Sequence, residues 1–104
     1  MQYIKIVNWD KYQHYKNRRP PWIKLYSKLL RKYEFICLQD DSKILLISLY
    51  LLASKTNNEI PYDLAWIKSK AVLKGEIDLN PLIKANFISI SSNGNKDAST
   101  VLAE

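Results

Sequence analysis

Glycine is nearly missing: the 104 residues contain two, Gly75 and Gly94. A dinucleotide fingerprint, a phosphate-cradling P-loop or a Gly-rich oxyanion loop each needs more glycine than that, clustered. The single cysteine, Cys37, excludes an internal disulfide and a cysteine-based zinc cluster. Within the apolar run Phe35-Ile36-Cys37-Leu38 it is expected to be a buried structural thiol. The single histidine, His14, removes most metalloenzyme and Ser/His/Asp layouts. With no activated nucleophile beside it, His14 is read as a packing or hydrogen-bonding residue. Asp40 and Asp41 directly precede Ser42, where acids complement a helix dipole. They lack the convergent carboxylates that two-metal chemistry needs. No catalytic residue, metal or cofactor is therefore expected, and the chain is expected not to be an enzyme. Long apolar runs are lacking too: residues 44–53 give about half the ~20 residues a bilayer span requires. Residues 1–20 are polar and carry no signal-peptide core. The expectation is a soluble, cytoplasmic protein with no membrane partner.

What the sequence does hold is cationic charge in one place. The net charge is +6. Residues 1–34 carry Lys5, Lys11, Lys16, Arg18, Arg19, Lys24, Lys28, Arg31 and Lys32 against Asp10 and Glu34, a net of +7, while residues 35–104 sum to −1. Such asymmetry is the electrostatic footprint of a partner rich in phosphate, most often nucleic acid. A solubilising face and a membrane surface are the other readings of the same charge.

Hydrophobic patterning then orders the chain. Tyr3-Ile4-Lys5-Ile6-Val7 alternates and predicts a strand over 3–7. A polar, aromatic connector follows to Pro20-Pro21. Apolar residues at 22, 25, 26, 29, 30 and 33 predict a helix, with Lys24, Lys28, Arg31 and Lys32 on the opposite side as a basic stripe. Residues 42 to about 55 are apolar almost all round, which predicts a central helix wrapped by the others. Asn57-Asn58 ends it, and Glu59-Ile60-Pro61 reads as a short extended piece. A third helix is predicted over 63–72 and a tight turn at Lys74-Gly75-Glu76. A fourth, short helix follows, capped by Asp78 or Asn80, with Pro81 in its first turn. Asn86 suits the left-handed position after it. Phe87-Ile88-Ser89-Ile90-Ser91 reads as a strand that should lie beside 3–7, since a lone strand leaves its backbone unpaired. Asn93-Gly94 signals a hairpin, and 99–102 reads either as its returning strand or as a frayed tail.

From Ser42 onward the order is helix, short strand, helix, tight turn, helix, strand, hairpin, the order of a winged helix-turn-helix. The expected fold is mainly α with a small sheet (α+β), a winged helix-turn-helix with an extra N-terminal strand and basic helix. Residues 1–92 form the domain, of which 1–21 are strand and basic connector and 22–92 helical core and wing strand; 93–104 are the hairpin return or tail. The stretch Ile4-Lys5-Ile6-Val7-Asn8-Trp9-Asp10-Lys11-Tyr12-Gln13-His14-Tyr15-Lys16-Asn17-Arg18-Arg19-Pro20-Pro21-Trp22-Ile23-Lys24-Leu25 resembles the opening of a family of phage and prophage winged-helix proteins associated with phage DNA replication. Leu51-Leu52-Ala53-Ser54, Ile60-Pro61, Trp66-Ile67 and Asn86-Phe87-Ile88 fit the same pattern, so the resemblance spans residues 3–91. It implies the N-terminal, origin-recognising DNA-binding part of a replication initiator or replisome organiser. A longer C-terminal part that meets other replication proteins usually follows in such proteins, and the host cytoplasm is implied if the chain is phage-encoded. Asn86 stands where those relatives usually carry glycine.

The site expectations follow from chemistry. Arg18 and Arg19 precede a rigid Pro-Pro and can grip phosphate bidentately. Lys16, Lys24 and Lys28 extend that basic surface, and Lys68, Lys70 and Lys74 flank the turn of the helix-turn-helix as phosphate clamps. Asn80 and Lys84 are the candidates to reach base edges; Lys84 is the only cation from 78 to 86. Asn93, Asn95 and Lys96 would occupy the wing tip. Trp9, Trp22 and Trp66 could stack bases but are read as core. The expected partner is double-stranded DNA, bound by a monomer or by a symmetric homodimer. A transcriptional regulator of the same fold, or a protein-binding adaptor or host-factor inhibitor built on a winged helix, are the competing functions.

Overall fold

Ile4 and Ile6 fall on one face of an alternating strand and both are buried in the computed structural model, which describes residues 1–13 and 21–92. They belong to β1 (Gln2–Ile6), which pairs antiparallel with β2 (Ile60–Pro61) on one side and β3 (Ile88–Ser92) on the other. The sheet order is β2-β1-β3, so the first strand of the chain is the central one. Ile4 lies opposite both Ile60 and Ile90, and Ile6 opposite Ile88. The expected adjacency of the N-terminal strand and the strand after Asn86 holds. Pro61 sits on the edge strand, where a missing N–H interrupts no ladder.

The helices are α1 (Trp9–Tyr12), α2 (Tyr33–Ile36), α3 (Asp40–Thr56), α4 (Leu64–Ala71) and α5 (Asn80–Lys84). The fully buried set draws on almost every layer: Ile4, Leu46, Leu49, Ile60, Ile67, Leu82 and Ile88. The result is a small α+β domain whose longest helix, α3, packs against β1, β2, α4 and α5. Ile44 and Leu51 on α3 remain about half exposed. The expectation of a helix covered all round is thus corrected: among the described residues Leu45, Leu46, Leu49 and Leu52 are its buried side, and Ile44 and Leu51 are left exposed.

Local signals explain the helix ends. The Asp63 carboxylate accepts the Trp66 N–H at 3.1 Å and opens α4. The Asp78 carboxylate accepts the Asn80 N–H at 3.0 Å just before α5. At the end of α5, Asn86 is left-handed (φ 64°) as expected. Its N–H reaches the Ile83 carbonyl, and the Phe87 N–H reaches the Leu82 carbonyl, both at 3.0 Å. This is a Schellman closure with the buried pair Leu82 and Phe87 as its apolar contact. α4 closes the same way through Leu73 N–H to the Lys68 carbonyl at 3.1 Å, but its left-handed residue is Val72 (φ 56°). The connection to α5 is then the eight-residue span 72–79, not a tight turn at 74–76.

The predicted basic helix over 22–33 does not form. Residues 22–26 are non-helical, Ser27–Arg31 is a 3-10 segment, Lys32 is extended, and only Tyr33–Ile36 is α-helical. The cause is a side chain. Gln13, nearly buried, donates its amide to the Lys24 carbonyl at 2.8 Å and accepts the Lys24 N–H at 3.0 Å. Both main-chain groups of Lys24 are thereby taken out of any helical ladder. The apolar spacing also overcounted the core, since Leu30 and Tyr33 are 72% and 75% exposed. Cys37 is exposed rather than buried, and Trp22 is about half exposed, whereas Trp9 and Trp66 pack against the core.

Candidate nucleic-acid interface

β1 ends where the Val7 N–H bonds to the Phe87 carbonyl at 3.0 Å. The next residue, Asn8, is left-handed (φ 63°) and starts α1, which delivers Trp9 and Tyr12. Gln13 then clamps Lys24, so the segment carrying Lys24, Tyr26, Lys28 and Lys32 returns along the same flank. Together they enclose a half-open cleft of about 300 Å³.

Its walls are aromatic and basic. Trp9, Tyr12, Tyr26, Tyr50 and Phe87 line it with Lys24, Lys28 and Lys32, and among the described residues no acid lines it. Tyr12 and Tyr26 meet edge to face with centroids 5.2 Å apart. The Lys28 ammonium lies 5.2 Å from the Tyr12 centroid and 5.7 Å from that of Tyr26. Lys11 approaches Tyr12 at 5.6 Å, and Lys32 approaches Phe87 at 6.0 Å. Lys32 also forms a surface pair with Glu34 at 3.9 Å; among the described residues Lys24 and Lys28 form no ion pair. Burial, and then the nearby Tyr12, push the Tyr50 hydroxyl above its ordinary pKa.

A second hollow, about 250 Å³, has the opposite charge. It lies between the first turns of α3 and the connection to α5, and Asp41, Glu76 and Asp78 line it with Ile44, Leu45, Leu73 and Ile77. The two hollows share no residue.

Of the residues singled out in the sequence, the structure brings Lys24 and Lys28 together on one cleft. Lys68 and Lys70 occupy the last turn of α4. Lys74, Asn80 and Lys84 are exposed and line neither hollow; Lys74 belongs to the same connection as Glu76 and Asp78. The connector and wing-tip candidates His14, Lys16, Arg18, Arg19, Asn93, Asn95 and Lys96, and the expected return strand at 99–102, lie outside the described residues. Residues that sequence reasoning passed over are Tyr12, Tyr26 and Asn86 as cleft walls. The aromatic-basic interleaving of the first third was the signal for the two tyrosines, and the left-handed position after α5 the signal for Asn86. Among the described residues no three His, Cys, Asp or Glu side chains gather as a metal site, and no helix is long and apolar enough to cross a membrane. No protein-family model, curated protein or solved structure matches this chain.

Proposed function

We propose that this chain is a DNA-binding domain of winged-helix type that acts in replication initiation of a phage or mobile element. One observation carries the reading: Lys24, Lys28 and Lys32 converge with five aromatic rings on a single cleft that no acid lines among the described residues. Lys24 and Lys28 have no acidic partner among the described residues and Lys32 only a surface pair with Glu34, and such an excess of cations favours a polyanion. The order α3, β2, α4, α5, β3 supports the winged-helix reading, with β1 added at the centre of the sheet. α5 has five residues and follows a connection bearing Glu76 and Asp78. The affinity is therefore assigned to the cleft, with Asn80 and Lys84 on α5 in an ancillary role. Origin recognition comes from the resemblance of the N-terminal stretch to phage replication proteins.

The test is a salt series on a short duplex. With Lys11, Lys24, Lys28 and Lys32 each neutralising one phosphate, the log–log slope of affinity against salt is about −3 to −4. Replacing Lys24 and Lys28 together by Ala makes it shallower by about 2. No binding of any DNA at about 50 mM salt overturns the reading. It would leave a protein-binding adaptor, which the exposed Leu30, Tyr33 and Ile36 favour.

A further inference from the structure

A surface that only grips duplex phosphates needs no concavity, no cluster of aromatic rings and no uncommitted amides. This cleft has all three. Its third feature comes from the sheet. The β1–β3 register pairs Gln2 with Ser92, Ile4 with Ile90 and Ile6 with Ile88, and the next contact joins Val7 to Phe87. Continuing that register sets Asn8 opposite Asn86, where the ladder ends. Both residues are left-handed, at φ 63° and 64°. Both line the cleft, and neither carboxamide has a hydrogen-bond partner among the described residues. A carboxamide offers a donor and an acceptor side by side, the pattern that reads a base edge.

Resting on the DNA-binding reading above, we infer that the cleft takes one unpaired nucleotide of a single strand. Its base stacks on the Tyr12 ring, with Tyr26 set at a steep angle beside it; its edge meets the carboxamides of Asn8 and Asn86, and its phosphate takes the Lys28 ammonium. Lys28 already sits over both tyrosine rings. Transferring that ammonium to a phosphate uncovers the ring faces at the moment a base arrives, so charge and stacking are satisfied in one exchange. A paired base cannot enter, because the duplex occupies its Watson–Crick edge and both of its faces. The cleft therefore discriminates unpaired from paired DNA, a different task from recognising a duplex by its phosphates.

The experiment compares fluorescence anisotropy of a labelled single strand of about twelve nucleotides with that of a hairpin duplex of equal charge. The proteins are the parent, Tyr12→Leu, Tyr12→Phe and the double change Asn8→Gly with Asn86→Gly. Glycine keeps both left-handed backbones and removes only the carboxamides. The parent is expected to bind the single strand at least about tenfold tighter than the hairpin. Tyr12→Leu should lose about five- to hundred-fold on the single strand and little on the hairpin, and Tyr12→Phe should restore it. The double glycine protein should lose the spread of affinities among oligo-dA, oligo-dT and oligo-dC. Thermal melts of each variant separate a lost contact from a lost fold. In any unfolded variant, Lys28→Gln takes its place and must weaken the single strand more than the hairpin.

Equal affinity for strand and hairpin, with Tyr12→Leu harmless to both, overturns this inference and leaves the DNA-binding reading standing. Failure to bind either overturns both. Competition by free dAMP as effective per nucleotide as the oligonucleotide overturns the strand as ligand in favour of a free nucleotide.

Discussion

Asn58 looks like a helix terminator, but its side chain closes the sheet. β2 pairs with β1 only through Ile60 and Pro61, so the buried Ile6 has no strand residue opposite it on that side. The Asn58 carboxamide fills the gap: its Oδ1 accepts the Ile6 N–H at 2.7 Å, and its Nδ2 donates to the Ile6 carbonyl at 3.2 Å. Asn58 is itself left-handed (φ 59°), which lets the chain leave α3 and still aim the amide at β1. Removing the side chain loses two hydrogen bonds at about 0.5–1.5 kcal/mol each, more if either Ile6 group stays dry. Ala also loses the short polar side chain by which Asn tolerates a left-handed backbone, at a cost of up to about 1–2 kcal/mol. Asn58→Ala should therefore destabilise by about 2–5 kcal/mol, and Asn58→Gly, free of the second contribution, by about 1–3 kcal/mol. Against a total of about 5–15 kcal/mol this is severe. The assay is urea unfolding followed by tryptophan fluorescence at fixed pH, on both variants. Both variants within about 0.5 kcal/mol of the parent would refute the bridging role. Equal losses in Ala and Gly would refute the backbone contribution.

Two further outcomes follow from single residues. Val72 holds a left-handed, β-branched backbone at 82% exposure, so its side chain gains little from the strain; Val72→Gly should raise stability by about 1 kcal/mol and Tm by about 4–8 °C, and an unchanged or lowered melt counts against it. Tyr50 keeps its proton more tightly in the folded chain than its ordinary value of 10.0 implies, chiefly through burial. The native state then binds a proton that the unfolded chain has released, so its contribution is complete below pH about 10 and is lost as pH rises toward the raised native value. Urea midpoints between pH 9 and about 11 should fall less steeply in Tyr50→Phe than in the parent; parallel curves would contradict the assignment.

Much of the fold was legible because its signals are local. Ile4 and Ile6 alternate, Asp63 precedes its helix by one residue, and Asn86 stands where only a few residue types tolerate a positive φ. Segment 22–33 was misread because helical spacing cannot register a competitor elsewhere in the chain. Gln13, eleven residues before Lys24, takes both of its backbone groups. That same contact draws Tyr12 to Tyr26, so the cleft was illegible for the reason the helix was. Exposure failed similarly: Cys37, Ile44 and Leu30 are apolar in sequence, but burial depends on which elements the fold brings against them. The basic first third was plain to read, but the grouping of Lys24 and Lys28 with aromatic rings was not.

The central place of β1 has a kinetic meaning. Its partners, Ile60 and Ile90 against Ile4, are contributed by the middle and the far end of the domain. The sheet is thus made of non-local pairings, and loop-closure entropy must be met before any of them forms. α3 and the capped α4 are local and can form early; the sheet has to await β3. During synthesis β1 is made before both of its partners and lacks β3 until residue 92 has emerged, with hydrogen-bonding edges open to other chains in the meantime. Lys5 lies in the middle of that strand and stays partly exposed in the fold, so a charge interrupts its apolar alternation throughout the wait, as gatekeeper residues do. Replacing Lys5 by an apolar residue should therefore act on aggregation during refolding more than on the native state.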